Sequence, residues 1–482
     1  MLQKIKIQNF KLHKDTSLEI KPITLFIGQN NSGKSSIFQA LQLIKQNLKI
    51  LEHPEYSERY ENILVPPKSF KPTQDFYYFY PNRLLDIGSF QDVIRKDERF
   101  IGISIEGNIP TKNRALQDKS IENLQVRYEM KFQNNILKYH SGEIKGGEYH
   151  IKWDWRGEMG IKISPDKIKI DEIEITLQAQ NVISQPIFSS GYSNPSSIPS
   201  EIQANAVELK DGLVNSIRDF IDSIHAIYGL RGFEENSYPL SDKPPSDNDF
   251  MLLYDRSLAI NSLLPYNREL ESQLSSWFKN LLGVEISFEL LPGKTVKIKA
   301  KNAYGETSFI NEGLGIHQLL FIFLPIAIAQ QSHTFLIEEP EAHLHPKAQS
   351  DISSIFLKIY KKENKQFLIA THSEHILFGF LNAIAKKEIS LDEIAIYYFK
   401  NEKGVAEISK LNIDEYGRVL GGLPGFFEQN IRNVIDFLDA LDSKIVIKYI
   451  SIKNAIVVFR KLSLLKFKVS PKRNPYCLKW IY

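Results

Sequence analysis

Between Gly28 and Ser35 the chain reads Gly-Gln-Asn-Asn-Ser-Gly-Lys-Ser, a match to G-x-x-x-x-G-K-[ST]. Each fixed position answers a demand of folding backbone around a polyphosphate. Glycines allow the N–H groups to turn inward, and the helix that must follow adds partial positive charge at its N-terminus. Lys34 is placed to reach the β- and γ-phosphates and the Ser35 hydroxyl to ligate Mg²⁺. About 0.02 chance matches are expected in a chain this long. The flanks agree: Ile23–Ile27 is an apolar strand, and Ile37, Leu41, Ile44 and Leu48 recur at helical spacing afterwards. The expected nucleotide cradle is therefore Gly28, Asn30, Asn31, Ser32, Gly33, Lys34, Ser35 and Ser36. Such a loop requires a strand before it and a helix after it, which restricts the fold to α/β.

Two later strand ends carry matching chemistry. Thr334–Ile337 is an apolar run that ends in Glu338-Glu339-Pro340-Glu341. Beside a phosphate loop, a carboxylate at the end of a second parallel strand positions Mg²⁺, and its neighbour activates the attacking water. Glu338 takes the metal role and Glu339 that of general base. The usual first residue is Asp, and Glu is one methylene longer. Gln366–Ala370 is another apolar strand, followed by Thr371-His372-Ser373; His372 is placed to donate a hydrogen bond to a γ-phosphate. Catalysis is thus assigned to Lys34, Glu339 and His372. Upstream, Asn311-Glu312-Gly313-Leu314-Gly315 precedes an apolar helix, a second anion-binding helix start. One chain needs only one phosphate loop, so Glu312, Gly313 and Gly315 make sense facing a nucleotide held by another copy.

Composition excludes several classes. Of 482 residues, 43% are apolar and 24% charged, the balance of a globular protein. A single cysteine, Cys477, cannot form an intramolecular disulfide. No apolar run approaches the ~20 residues of a membrane span, and Met1-Leu2-Gln3-Lys4 leads into strand sequence rather than a signal peptide. A cytoplasmic protein with no membrane association is expected. Ten Lys and Arg and no Asp or Glu fall within 443–482, so a chain of net charge +3 has a body of 442 residues at −7. That tail suits a nucleic-acid backbone. It also alternates with β-branched and aromatic residues, as a strand pair does, and both readings stay open. His343, His345, His372 and His375 have metal-ligand spacing, but no second cysteine accompanies them.

Alternating strands are predicted at 100–105, 126–132 and on to about 178, as an antiparallel meander. Helices are predicted at 203–228 and 266–282, with strands at 284–290 and 295–300 between the second helix and a closing helix–strand alternation from 308. The predicted organisation is an ATPase head lobe at 1–130, an insertion at 131–300, a second head lobe at 301–410, a small module at 411–442 and the basic tail at 443–482.

In this order the segments resemble a known family. Phosphate loop, long insertion, glycine-bearing helix start, Ile337-Glu338-Glu339-Pro340-Glu341-Ala342-His343-Leu344-His345-Pro346 and Ala370-Thr371-His372-Ser373 are similar to the ABC-type ATPase heads of SMC, RecF and OLD-family proteins. Compact AAA-family ATPases of bacteria look closest, and Ile7-Gln8-Asn9-Phe10-Lys11 and Leu84–Gln91 also match that group. Ile413-Asp414-Glu415-Tyr416-Gly417 through Gly425-Phe426-Phe427 resembles a C-terminal module of unknown role in such chains. The resemblance implies a P-loop NTPase head of ABC type, its sheet interrupted by an insertion, hydrolysing ATP with Mg²⁺. It implies a head-to-tail homodimer in which each phosphate loop faces the partner's Glu312–Gln318 segment. Gln91 would link Mg²⁺ or water to the insertion, His343 would lie between the two sites, and Lys11 would approach the nucleotide. It further implies control of a DNA-processing or antiphage-defence partner. The alternatives are a slowly hydrolysing ATP-gated scaffold holding an effector and a RecF-like repair ATPase. The 110 residues after His372 contain no D-x-D at a strand end, so any nuclease or toxin effector would be a separate protein.

Overall fold

The computed structural model describes residues 1–52, 90–110, 123–133, 136–146, 149–156, 161–162, 166–170, 173–177, 216–217, 219–229, 237–239 and 267–421. The basic tail, most of the predicted 203–228 helix and the Gly425–Phe427 segment lie outside these residues.

The chain opens with β1 (Leu2–Phe10), β2 (His13–Glu19) and β3 (Ile23–Gly28), then α1 (Lys34–Glu52) and the short α2 (Phe90–Val93). Next come β4 (Ile101–Pro110), β5 (Asn123–Gln133), β6 (Ile136–Gly146), β7 (Tyr149–Arg156) and β8 (Ile161–Lys162). They continue β2-β1 into one antiparallel sheet of order β2-β1-β4-β5-β6-β7-β8. The expected meander is thus present, and it belongs to the N-terminal strands. Met130-Lys131, where the sequence reading sets a boundary, lies inside β5, whose hydrogen-bonded ladder runs uninterrupted from Ile101↔Phe132 to Pro110↔Asn123. On β5 Leu124, Val126, Tyr128, Met130 and Phe132 are buried while Gln125 and Arg127 are exposed, the alternation of a sheet covered on one face. β9 (Asp166–Ile170) and β10 (Ile173–Leu177) pair separately.

The second sheet, which starts from β11 (Ile224–Ile227), has order β11-β16-β17-β3-β18-β19. Its later members are β16 (Thr334–Glu338), β17 (Gln366–Thr371), β18 (Ile394–Glu402) and β19 (Val405–Lys410). Every ladder from β11 to β18 is parallel. β3 lies between β17 and β18 and all six of its residues are buried, which explains its unbroken apolar run. Helices α4 (Leu314–Ile328), α5 (Pro346–Glu363) and α6 (Glu374–Ala385) alternate with these strands, the arrangement of an α/β phosphate-loop fold. Ahead of them α3 (Arg268–Leu282) precedes a small sheet in which β14 (Thr295–Asn302) pairs with β12 (Tyr238–Pro239), β13 (Glu285–Leu291) and β15 (Gly305–Ser308). The boundary expected at 300/301 falls within β14.

One expectation is overturned. The predicted helix 203–228 ends early, because Ile224–Ile227 forms β11 and pairs in parallel with Thr334–Ile337. Ile217, Ile221 and Ile224 share one helical spacing, but the β-branched stretch at 224–227 gains a full ladder against β16, and tertiary pairing overrides the period.

The phosphate-loop helix α1 packs on β1, β3 and β4, so it touches both sheets. Ile37, Leu41 and Ile44 are buried as predicted, but so are Phe38, Ala40 and Leu43: the helix is covered on more than one face. Its buried Lys45 is satisfied by the carbonyls of Asp222 and Ile224, at 2.9 and 2.6 Å. A buried amide joins the sheets: Gln366 at the start of β17 exchanges two 2.8 Å hydrogen bonds with the backbone N–H and carbonyl of Leu2.

By compactness the chain divides into Met1–Gly379 with Asp392–Ser409, and Phe380–Leu391 with Lys410–Tyr482. All the sheets described above belong to the first, apart from Lys410 at the end of β19. In the second, β20 (Asn412–Ile413) and β21 (Val419–Leu420) flank a turn in which the Asp414 carboxylate accepts from the Tyr416 and Arg418 N–H groups and from Arg418 Nε. Gly417 there has φ +71°, and a Cβ on it would lie 2.2 Å from the Leu381 carbonyl. The Asp-Glu-Tyr-Gly sequence is thus a turn that only glycine completes.

Phe26, on β3, is fully buried among the rings of Phe38, Tyr397 and Phe399. Phe26→Ala is expected to cost about 3–5 kcal/mol and to lower the denaturation midpoint accordingly.

Candidate nucleotide site

Parallel pairing places the chemistry at one edge. Residues level with one another are Glu338 on β16, Ala370 on β17 and Phe26 on β3, and Thr371 is level with Ile27. The phosphate loop, the carboxylate pair and His372 therefore leave the sheet side by side, at the carboxyl ends where such sheets bind ligands. A cavity of about 790 Å³ opens there, lined by Asn30–Ser36, Glu338, Glu339 and His372 and, from other segments, by Lys11, Gln39, Asp92 and Arg95. That volume suits a nucleotide.

The loop is built on two glycines with left-handed backbone, Gly28 at φ +143° and Gly33 at φ +98°. A Cβ on Gly28 would lie 2.2 Å from the Phe399 carbonyl of β18, so the motif's first glycine answers to sheet packing as well as to phosphate approach. Lys34 turns its ammonium onto the loop, donating to the carbonyls of Gly28 and Gln29 at 3.0 and 2.8 Å. Burial lowers its pKa to about 8, against the opposing pull of Glu339, Glu341 and Glu338. The hairpin turn Lys403-Gly404, both at positive φ as tight hairpins prefer, supports the loop through Asn401, whose amide donates to the Asn31 carbonyl at 3.0 Å.

His13 is a support that sequence reasoning missed. It is fully buried; its Nε2 lies 2.9 Å from the Gly33 carbonyl and its Nδ1 3.0 Å from the Thr16 hydroxyl. A carbonyl only accepts, so Nε2 carries the proton and Nδ1 accepts from Thr16. Burial, chiefly, holds the ring's pKa down at about 4. No local pattern marks a lone histidine at a strand start as a partner of a glycine twenty residues on.

Glu338 ends β16, and its Oε2 accepts from the Gly229 N–H at 3.2 Å, just past β11. Glu339 adopts a left-handed backbone, φ +44°, while its N–H donates to the Ala370 carbonyl at 2.8 Å. Its carboxylate stands 3.6 Å from His372 Nε2. Burial first, and the charge of Lys34 next, lower the pKa of His372, with Glu339 pulling the other way. A neutral imidazole beside a carboxylate and a phosphate loop can donate one hydrogen bond and accept another. Glu341, to which the sequence assigns no role, is half-buried. Its Oε1 accepts from the Thr371 hydroxyl at 2.7 Å and the His372 N–H at 2.9 Å.

The other expected site residues divide between the cavity and places outside it. Gln91 is exposed on α2 and is not among the residues lining the cavity, whereas its neighbour Asp92 is. Lys11 does line it, with its ammonium 2.6 Å from Gln39 Oε1. Glu312, Gly313 and Gly315 stand at the start of α4, outside the cavity. A Cβ on Gly313 would meet nothing within 4 Å, whereas one on Gly315 would lie 2.6 Å from the His343 carbonyl. Gly313 therefore faces open space, and Gly315 packs on the loop that follows Glu341.

The sequence profile of the AAA ATPase domain matches residues 1–377. The chain belongs to this family of ATPases. A second profile, of a protein of unknown function (DUF3696), matches residues 389–434. The DNA double-strand break repair Rad50 ATPase of Methanococcus maripaludis is 29% identical over 146 residues, covering 30% of this chain and 14% of that protein. The energy-coupling factor transporter ATP-binding protein EcfA2 of Spiroplasma kunkelii is 34% identical over 62 residues, 13% of this chain and 20% of that one. The ATPase thus spans a fifth or less of these curated relatives. Among solved structures, the SMC head domain of Thermotoga maritima covers 86% of the chain and 99% of its own length at 10% identity, TM-score 0.37. The Smc head domain of Pyrococcus furiosus with an extended coiled coil, bound to the C-terminal domain of ScpA, covers 90% and 99% at 12% identity, TM-score 0.38. No helix among the described residues is long and apolar enough to cross a membrane.

The depressed pKa of His13 sets a pH dependence. Below about 6.5 the unfolded chain takes up a proton that the folded ring refuses until about pH 4. Stability present at neutral pH is therefore lost as pH falls through that window, by up to about 3 kcal/mol. Chemical denaturation of His13→Asn is expected to show a shallower loss between pH 7 and pH 4.5 than the parent ATPase.

Proposed function

We propose that the protein is an Mg²⁺-dependent ATPase whose sites are completed by a second copy, and that closure of the pair controls a separate partner protein. The observation that carries the reading is the placement of Glu339 and His372, 3.6 Å apart, on the cavity that the phosphate loop lines. Glu339 accepts the proton of the attacking water. His372 donates to the γ-phosphate oxygen that gains charge, and Lys34 leaves its loop carbonyls to neutralise the β- and γ-phosphates. The donor set also fits Mg²⁺: Ser35 and Glu338 offer hard oxygens on one cavity wall, and this cation binds through few protein oxygens, the rest coming from phosphates and water. Such an ion supplies charge neutralisation at the transferring phosphoryl group.

A second copy is supported by Gly313, which faces open space at the start of α4, away from its own chain's cavity. The partner process is proposed as DNA processing or defence against phage, and the similarity to a break-repair ATPase favours the former.

Lys34→Ala is expected to abolish ATP binding, measured by equilibrium titration; binding equal to the parent would overturn the assignment. Glu339→Gln should still bind ATP, with turnover reduced roughly 100-fold or more. In light scattering with ATP its mass should double, whereas a monomer mass with and without ATP rules out the sandwich. Slow turnover in the parent, with the mass change intact, would favour the ATP-gated scaffold.

A further inference from the structure

We propose that Glu341 is the positioning residue that welds the general base, the γ-phosphate histidine and the start of α4 into one rigid unit, resting on the ATPase reading above. The Glu338–His345 loop leaves β16 carrying Glu339, then crosses to the end of β17. Glu341 makes that crossing. One carboxylate oxygen accepts both the Thr371 hydroxyl and the His372 N–H. The other, Oε2, is buried with no hydrogen-bond partner among the described residues. Leaving a carboxylate oxygen buried and unmet is unfavourable, so this side chain is held there by what its other oxygen does.

The consequences run in two directions along the loop. Toward its start, the Glu339 carbonyl accepts from Ala342 N–H while the Glu339 N–H donates to Ala370 on β17. The base is thereby held in its left-handed backbone conformation 3.6 Å from His372. Toward its end, the Glu341 carbonyl accepts from Leu344 N–H, and His343 places its own carbonyl where a side chain on Gly315 would have to sit. One turn thus touches the base, the histidine and the α4 helix start. A displacement at Gly313–Gly315, such as a second copy would cause, is passed to Glu339 through atoms in contact. Misplacing a base by about 1 Å costs on the order of 100-fold in rate. Glu341 touches none of the reacting atoms, so its effect is on rate and not on nucleotide affinity.

The test compares Glu341→Ala, Glu341→Gln and Glu341→Asp in the full chain by steady-state ATPase kinetics and equilibrium ATP binding. Glutamine keeps an oxygen for Thr371 and His372; alanine removes it. Expected are a kcat loss of roughly 10- to 100-fold for Glu341→Ala, an ATP Kd within about threefold of the parent, and rescue to within about threefold by Glu341→Gln. Glu341→Asp, one methylene short, should fall between them and serves if the alanine variant does not fold. Equal kcat in Glu341→Ala and parent overturns the proposal, as does a glutamine variant as slow as alanine, or a loss confined to Kd. A parent that hydrolyses no ATP overturns the ATPase reading instead.

Discussion

Everything at the site depends on β3 running parallel between β17 and β18. A parallel ladder brings carboxyl ends to the same edge, so the loop at Gly28–Ser35 meets Glu338-Glu339 and His372, two segments that follow it by more than 300 residues. The packing that secures this ladder is tight enough to reach the motif itself. Gly28 lies so close to the Phe399 carbonyl that no side chain fits. A position usually explained by its ligand is also required by the strand next door.

Around that edge the structure spends buried polar groups on support. His13 meets the Gly33 carbonyl and the half-buried Glu341 meets Thr371 and His372, while at the opposite, amino end of β17 the buried Gln366 joins it to Leu2. Each is a local cost of desolvation recovered by hydrogen bonds. Arg95 does the same at the cavity's other wall, donating from one nitrogen to the carbonyls of Leu12 and Gly404, at 3.1 and 2.9 Å. The groups proposed for catalysis are thereby held by neighbours from distant segments, the arrangement expected where placement, more than intrinsic reactivity, sets the rate.

Glu339 is one of several residues near the site with a left-handed backbone. A non-glycine residue at φ +44° is uncommon, and here the backbone bond to Ala370 and the Glu341 turn over-determine it. Strain of this kind persists where surrounding structure imposes it, and it re-aims the carboxylate toward His372. Asn9 and Lys11, also left-handed, do the equivalent for the Asn-Phe-Lys turn. Lys11 N–H donates to the Val93 carbonyl at 2.6 Å and Arg95 N–H to Asn9 at 3.2 Å, which draws α2 and Asp92 to the cavity.

The sequence alone carried the fold class and the segments that meet at the candidate site. The phosphate loop, the acidic strand end and the strand before His372 are local patterns, since each is a short apolar run followed at once by its functional residue. Local pattern failed where partners are remote in sequence. Ile224–Ile227 has helical spacing but gains a ladder on β16, Gln91 lies one residue from the position that lines the cavity, and His13 and Glu341 show their roles only through Gly33 and Thr371. What residues can do is written in their types and spacing. Which of them meet is decided by the parallel ladders and the close approach of the two sheets, because burial and hydrogen bonding act between segments that the sequence holds far apart.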